Sequence, residues 1–97
     1  MNKIKINYIN LGGIGFTADS GIVEQRKTCV LQIVYELYGK RFEFEFNVQI
    51  IGVSDEDESG KCEYRAIYRN LSDSLLTSVK DVTENTVPSE ISASVRQ

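Results

Sequence analysis

Carboxylates are the side chains in this sequence with the most evident capacity for chemistry, and they form two groups. The first group is an uninterrupted acidic run: Asp55, Glu56, Asp57 and Glu58. The second group occupies alternate positions in segments with strand-like patterns: Glu36, Glu43 and Glu45. Neighbouring carboxylates can exchange protons when burial separates their pKa values, and they can bind cations or a basic protein surface. Both groups are therefore candidate interaction sites.

The acidic run continues into Ser59 and Gly60, which completes the spacing D-x-D-x-S-G. Alternate oxygen ligands followed by a glycine at the bend are typical of the first half of a calcium-binding EF-hand loop. The twelfth position of that loop should be a bidentate glutamate, but here it is Ala66. Asp, Ser and Gly also favour turns by local hydrogen bonding. We therefore expect a solvated turn between two strands, with calcium binding as the alternative.

The second carboxylate group is expected on the water-facing side of a sheet, among Lys, Arg, Gln and Asn side chains. A solvated surface does not separate carboxylate pKa values, so this pattern favours a polar sheet face over a catalytic pair. The sequence contains no histidine, which removes the usual general base at neutral pH and the commonest metal ligand. We predict a protein that is not an enzyme, with no catalytic residue, no metal site and no cofactor.

A glycine motif over residues 13–18, GIGFTA, fits the G-x-G-x-x-A pattern of dinucleotide-binding loops. Such a loop should open a helix, but a turn signal, Asp19-Ser20-Gly21, follows instead. We expect a flexible connection over residues 10–15 rather than a nucleotide site. The two cysteines, Cys29 and Cys62, fit no zinc spacing and are expected as buried thiols on the apolar side of strands.

The overall charge and hydropathy disfavour two classes of partner. The 97 residues have a formal net charge of −3, and their 11 basic residues form no dense patch, so direct nucleic-acid binding is disfavoured. The apolar stretches are too short to span a bilayer, and residues 1–10 alternate charged and apolar side chains, which is not typical of a signal peptide. We expect a cytoplasmic protein that does not contact a membrane.

The strongest structural signal is a hairpin over residues 29–51, in which apolar residues alternate along both arms. They are Cys29, Leu31, Ile33, Tyr35 and Leu37 in the first arm and Phe42, Phe44, Phe46, Val48 and Ile50 in the second. Gly39 and Lys40 lie between the arms and suit a two-residue type II′ turn. That turn places Leu37 opposite Phe42, and every pair on that face is apolar. On the other face it places Glu36 opposite Glu43.

Three further segments complete the predicted fold. Residues 3–8 alternate as a strand with Ile4, Ile6 and Tyr8 on one face, and residues 61–68 alternate as another strand. Antiparallel pairing of the latter with residues 42–50 would place basic side chains beside Glu43 and Glu45. Residues 71–82 have a helical apolar stripe, Leu71, Leu75, Leu76, Val79 and Val82, with Asn70 or Ser72 as the N-cap. Residues 89–97 fit a strand, a frayed helix or a loose end.

Together these elements predict a single α+β domain over residues 1–97, built as an antiparallel sheet of about four strands with one main helix packed on its apolar face. One helix would leave part of a wide aromatic face uncovered, which favours homodimerisation or capture of a protein segment. We expect a small non-enzymatic protein-interaction domain, such as an adaptor, assembly factor or inhibitor. The alternative is a chaperone-like or carrier domain that holds extended polypeptide or a small apolar ligand.

Overall fold

The computed structural model describes residues 2–96, and in these residues the backbone forms a closed antiparallel barrel. Its strands and helix are β1 (Asn2–Asn10), β2 (Gly13–Asp19), β3 (Thr28–Leu37), β4 (Lys40–Val53), β5 (Lys61–Arg69), α1 (Asp73–Asn85) and β6 (Ser92–Arg96). A short 3₁₀ turn at Pro88–Glu90 precedes β6. The strands are hydrogen-bonded in the order β1-β2-β5-β4-β3-β6, and β6 returns to β1.

The closed barrel shows that the predicted α+β fold, a sheet of about four strands with a helix on one face, is wrong. Two segments account for the difference: one was not predicted as a strand, and for the other a strand was one of three alternatives. β2 contains the whole glycine motif, and β6 lies in the segment 89–97, of which Gln97 is outside the described residues. β6 pairs with β1 on one side and with β3 on the other, so it joins two edges that an open sheet would expose.

Closure converts the apolar sheet face into an interior that side chains fill. The largest of its completely buried strand side chains are Tyr64, Phe16, Ile14, Leu31, Ile33, Ile50, Val48 and Val95. The rings of Phe16 and Tyr64 stack at a centroid distance of 5.1 Å. Cys29 and Cys62 are buried, as predicted, and burial raises the pKa of the Cys29 thiol to about 11. Thiolate chemistry at neutral pH is disfavoured at Cys29 for that reason.

The predicted helix is present, but it lies at one end of the barrel rather than across a sheet face. Its N-cap is Ser72, whose hydroxyl accepts a hydrogen bond from the backbone N–H of Leu75. Val79 and Val82 are buried, whereas Leu76 of the predicted apolar stripe is exposed. The Thr83 hydroxyl donates to the backbone oxygen of Ile9 near the end of β1, and Asp81 accepts from Tyr35 near the end of β3. The helix therefore covers the barrel end at which these two strands finish.

The predicted hairpin is also present, but its predicted register is wrong by two residues. Leu37 pairs with Lys40 and Tyr35 with Phe42, and the two residues of the turn are Tyr38 and Gly39. Both have positive φ, 53° and 76°, as a type I′ turn requires. A shift of two residues keeps every side chain on its own face, so the hydrophobic pattern cannot distinguish the two registers.

The pairing of β4 with β5 is antiparallel, as predicted, but it is displaced along β4. Asn47 pairs with Arg69 and Val53 with Tyr64, so β5 ends before it reaches residues 40–46. The basic side chains of β5 are therefore not cross-strand neighbours of Glu43 and Glu45, and that prediction is wrong. The displacement leaves the first half of β4 paired with β3 alone.

The predicted inward face of the first strand holds only in part. Ile6 is buried, but the pairing register shifts between Ile6 and Tyr8, which indicates a β-bulge, and Tyr8 is exposed. The Tyr8 ring covers Gly15 of β2 from outside, so closely that a Cβ at Gly15 would lie 2.0 Å from a ring carbon. The glycine motif therefore forms a strand covered by an aromatic ring, and the predicted flexible connection is wrong.

Candidate functional site

The outer part of the β3–β4 hairpin, residues 35–46, extends past the end of β5 on one side and past β6 on the other; we call it the distal hairpin. β3 pairs with β6 only over residues 30–34, and β4 pairs with β5 only over residues 47–53. β4 has 14 residues, which at roughly 3.3 Å per residue is enough to run along the largest dimension of the molecule, 38 Å. The inner half of β4 belongs to the barrel wall, and its outer half forms one strand of the projection.

A ladder of aromatic rings runs along the inner face of the hairpin. Phe46 contacts Tyr68 at 5.3 Å and Phe44 at 5.4 Å, and Tyr35 contacts Phe44 at 6.1 Å and Phe42 at 5.3 Å. Exposure increases along β4 toward the tip, from 3% at Phe46 to 39% at Phe42. The ladder therefore connects the barrel core to an aromatic surface that water can reach.

The turn at the tip of the distal hairpin places an aromatic residue in a conformation that does not suit it. Tyr38 has a φ of 53° and is 94% exposed. Left-handed backbone favours Gly, Asn or Asp, and a bulky side chain there is uncommon. At 94% exposure Tyr38 packs against little that could offset the conformational cost. Residues whose backbone conformation is unfavourable for their type, with no packing to offset the cost, are expected at functional sites. Tyr38 is therefore a candidate contact residue.

One side-chain hydrogen bond joins the β3 strand of the distal hairpin to α1. The Tyr35 hydroxyl donates to Oδ2 of Asp81 at 2.8 Å, and Nδ2 of Asn85 donates to Oδ1 of the same carboxylate at 2.9 Å. Burial, together with the hydrogen bond to the Asp81 carboxylate, raises the pKa of Tyr35 to about 12. The hydroxyl is therefore protonated at neutral pH and can donate this bond. The contact restricts the angle at which the hairpin leaves the barrel.

The outer face of the hairpin carries the second group of predicted carboxylates, each beside a polar or cationic neighbour. Arg96 Nη2 lies 2.8 Å from Glu45 Oε2, and Gln32 Nε2 donates to Glu43 Oε1 at 3.1 Å. Arg41 Nε lies 3.7 Å from Glu43 Oε2, and Arg41 is also the cross-strand partner of Glu36. The arrangement is an exposed, charge-paired surface.

The acidic run lies at the other end of β4, in the connection to β5. Asp57 Oδ1 accepts hydrogen bonds from the Ser59 hydroxyl at 2.7 Å, the Ser59 N–H at 2.8 Å and the Lys61 N–H at 2.9 Å. The bonds from Ser59 and Lys61 hold the pKa of Asp57 below its ordinary value. Asp57 is thus used to shape the turn, while Asp55, Glu56 and Glu58 are exposed. In residues 2–96 no three His, Cys, Asp or Glu side chains are grouped so that they could hold a metal ion.

The structure therefore separates the two groups of predicted site residues instead of bringing them together. Glu36, Glu43 and Glu45 lie on the distal hairpin, and the acidic run lies where β4 ends at the far side of the barrel. A cleft of about 540 Å³ adjoins the distal hairpin where β6 begins, and Glu36, Arg41 and Glu90 are among its lining residues. Of the two groups, only the hairpin carboxylates adjoin exposed aromatic surface.

Sequence reasoning missed the two most exposed aromatic residues of this site, Tyr38 and Phe42. The signal that could have found them is electrostatic. The predicted register placed Glu36 opposite Glu43, which is an unfavourable like-charge pair, whereas the observed register places Glu36 opposite Arg41. That register also makes Tyr38 a central residue of the turn and places Phe42 one position further from the turn.

Comparison with protein-family models, curated proteins and solved structures gives no significant match for this chain. Among the described residues, no helix is both long and apolar enough to cross a membrane.

Proposed function

We propose that this protein is a small non-enzymatic interaction domain whose binding element is the distal hairpin. The observation that carries the proposal is the tip, where Tyr38 is 94% exposed and Phe42 is 39% exposed on a hairpin that projects from a closed barrel. Aromatic residues contribute a large share of the binding energy at protein interfaces, because each brings a large contact area with few rotatable bonds.

The barrel supports this role by holding the hairpin in one orientation. Phe46 is buried in the core, and the hydroxyl of Tyr35 is hydrogen-bonded to Asp81 of α1. A binding element that is ordered before it meets its partner loses less conformational entropy on association. The charged outer face, with Arg41, Glu43 and Glu45, adds electrostatic selectivity beside the aromatic contact.

The carrier alternative would have to use the outside of the same hairpin, since side chains fill the barrel interior. A dye that reports exposed apolar surface, such as ANS, distinguishes the two functions. A carrier surface large enough to hold unfolded polypeptide should give strong fluorescence with the native protein, whereas the small patch at Phe42 should give little.

The direct experiment is affinity capture from a lysate of the source organism with three matched baits: wild type, Tyr38→Asn/Phe42→Ser and Asp55→Lys/Glu58→Lys. Asn is well suited to the left-handed turn position, so the first variant removes aromatic surface while keeping the turn. We expect a stoichiometric partner to bind wild type and the loop variant, and to be lost from the hairpin variant.

The loop variant is the control, because it changes the acidic run at the opposite end of β4. Retention of the partner by the hairpin variant together with its loss from the loop variant would assign binding to the acidic run and overturn the proposal. A heterogeneous set of unfolded proteins on the wild-type bait would instead favour the carrier. Circular dichroism of all three baits checks that the barrel is folded.

A further inference from the structure

The first half of β4 is a strand edge that has no pairing partner on its β5 side. Residues 40–46 pair with β3 on one side, while pairing with β5 begins only at Asn47. Unpaired edges are ready templates for another strand, and proteins usually shorten, cover or charge them. Here the edge is seven residues long and its side chains alternate between charged and aromatic.

The backbone groups that face this edge follow from the hairpin turn. Leu37 and Lys40 flank a two-residue type I′ turn and form a hydrogen-bonded pair, so every second pair along the hairpin is not hydrogen-bonded. The pairs that are not hydrogen-bonded include Arg41, Glu43 and Glu45, so the N–H and C=O groups of these residues point away from β3. The next residue in that series is Asn47, which pairs with β5 as the alternation requires.

Few antiparallel registers are open to two copies of this edge, and their charges distinguish them. A register centred on Arg41 places two guanidinium groups opposite each other, and one centred on Glu43 places two carboxylates opposite each other. A register centred on Phe44 pairs Glu43 with Glu45, which is again repulsive. A register centred on Phe42 pairs Arg41 of each copy with Glu43 of the other and contains no like-charge pair.

We propose that a second copy of this chain binds along the residue 40–46 edge in the register centred on Phe42, forming a two-fold symmetric dimer. The two hairpins then make one four-stranded antiparallel sheet, with the two β4 edges at its centre. Phe42, which is 39% exposed in one copy and already stacked on Tyr35, meets Phe42 of the second copy on the aromatic face. Arg41 and Glu43 form two equivalent ion pairs on the other face.

This inference rests on the proposed function, because it names the partner of one edge of the same hairpin. The tip residue Tyr38 lies outside the self-paired segment, so a further protein could still bind there. The competing occupant of the edge is an extended peptide from another protein, which would leave this chain monomeric.

Cysteine cross-linking tests the register directly. In the Phe42-centred register, Phe42→Cys faces its own counterpart at a pair that is not hydrogen-bonded, where the two Cα atoms are close enough for a disulfide. We expect Phe42→Cys to form a covalent dimer under mild oxidation, and the matched control Phe44→Cys, which faces Lys40 of the second copy, to stay uncrosslinked. Native Cys29 and Cys62 are buried and do not compete. Equal cross-linking of both variants, or of neither, would overturn the register.

Charge exchange tests the same register without a covalent bond. Arg41→Glu and Glu43→Arg each replace two attractive pairs by two repulsive ones, and each should weaken the dimer roughly tenfold or more by sedimentation equilibrium. The double variant restores both pairs and should return the affinity toward wild type. Arg41→Glu also faces Glu36 within the hairpin, and that contact is the same in the single and the double variant. The ion pair of Arg41 with Glu43 inside one chain is broken in each single variant and restored in the double variant. The free energy of unfolding of the monomer is therefore measured as well, and a rescue that appears only in the monomer would overturn the register.

The two proposals fail in different experiments. Wild type that remains monomeric at all concentrations overturns self-pairing, whatever the capture experiment finds. Loss of a captured partner on Tyr38→Asn/Phe42→Ser would then still support the interaction function and identify another protein as the occupant. A dimer that withstands every edge variant would place the contact elsewhere on the molecule and also overturn the inference.

Discussion

The barrel body and the distal hairpin are built from the same alternating strand pattern, but they differ in what covers their aromatic residues. In the body, Phe16 is completely buried and stacks on Tyr64. In the distal hairpin, Phe42 stacks on Tyr35 at a similar distance, yet it stays 39% exposed because neither β5 nor β6 extends that far. The same side-chain alternation therefore gives a core where the sheet closes and a candidate binding surface where it does not.

Under the proposed function, the barrel body provides stability and the distal hairpin provides the binding surface. Closed pairing satisfies the backbone of the body, and long-range contacts hold its side chains. The distal hairpin has fewer such contacts, and its tip holds Tyr38 in an unfavourable conformation. Substitutions in the two regions should consequently differ in size and in kind, and three matched comparisons test this.

The largest contrast is expected between two phenylalanines. Phe16→Ala should lower the free energy of unfolding by about 3–5 kcal/mol, because it opens a cavity in a completely packed interior. Phe42→Ala should lower it by only about 1 kcal/mol, since part of its ring is already in water. Urea denaturation of both variants measures the contrast. Equal losses would mean that the distal hairpin is as much a part of the core as the barrel.

Substitution of Gly13 and of Gly39 by alanine should lower the stability of the protein for different physical reasons. A Cβ at Gly13 in the body would lie 2.5 Å from the backbone oxygen of Ala66, so Gly13→Ala should cost about 1–3 kcal/mol. Gly39 at the tip has open space around it but a φ of 76°, so Gly39→Ala should cost about 1–2 kcal/mol through backbone strain.

Asparagine distinguishes the two causes, because it tolerates left-handed backbone but not a steric clash. Thermal denaturation should show that Gly39→Asn recovers much of the stability lost in Gly39→Ala, whereas Gly13→Asn recovers none. A Gly39→Asn variant as unstable as Gly39→Ala would contradict the assignment of the tip cost to backbone conformation.

The smallest effect is expected where the two regions meet. Tyr35→Phe removes the hydrogen bond to Asp81 and should cost about 1 kcal/mol at neutral pH. The pKa of Tyr35 is raised to about 12 in the folded protein, against roughly 10 in an unfolded chain. The stability linked to this group is therefore complete below about pH 10 and is lost as the pH rises toward 12.

The stability difference between wild type and Tyr35→Phe should accordingly shrink over that alkaline range, as measured by urea denaturation at several pH values. Asp81→Asn is the matched control, since its amide oxygen can still accept the bond. A difference that is constant from pH 7 to pH 12 would show that the tyrosine ring, and not its hydroxyl, joins the hairpin to the helix.

The candidate site was predictable in its composition but not in its location. The sequence indicated an exposed polar face with Glu36, Glu43 and Glu45 and an aromatic stripe behind it. It did not indicate that the acidic run, Asp55–Glu58, would lie at the opposite end of β4. Distance along the chain does not report where a long strand places its two ends, and only pairing with β3 and β5 locates them.

Local physics accounts for what the sequence determined by itself. Alternation of apolar residues specifies which side chains of β3, β4 and β5 face inward, and Ser72 with its following apolar stripe specifies the start of α1. Both signals act over a few residues, and neither depends on the rest of the fold. They hold whether the sheet is open or closed.

The register of the hairpin depends on local cross-strand pairs that the alternation does not report, and tertiary structure decided the closure of the barrel and the projection of the hairpin tip. A shift of two residues leaves the inward face unchanged, so the choice between registers rests on cross-strand pairs such as Glu36 with Arg41. Closure depends on β6, whose five residues pair with strands about 60 and 90 positions away in the chain. Pairing energy between such distant segments is a property of the assembled barrel, because no short stretch of sequence contains both partners.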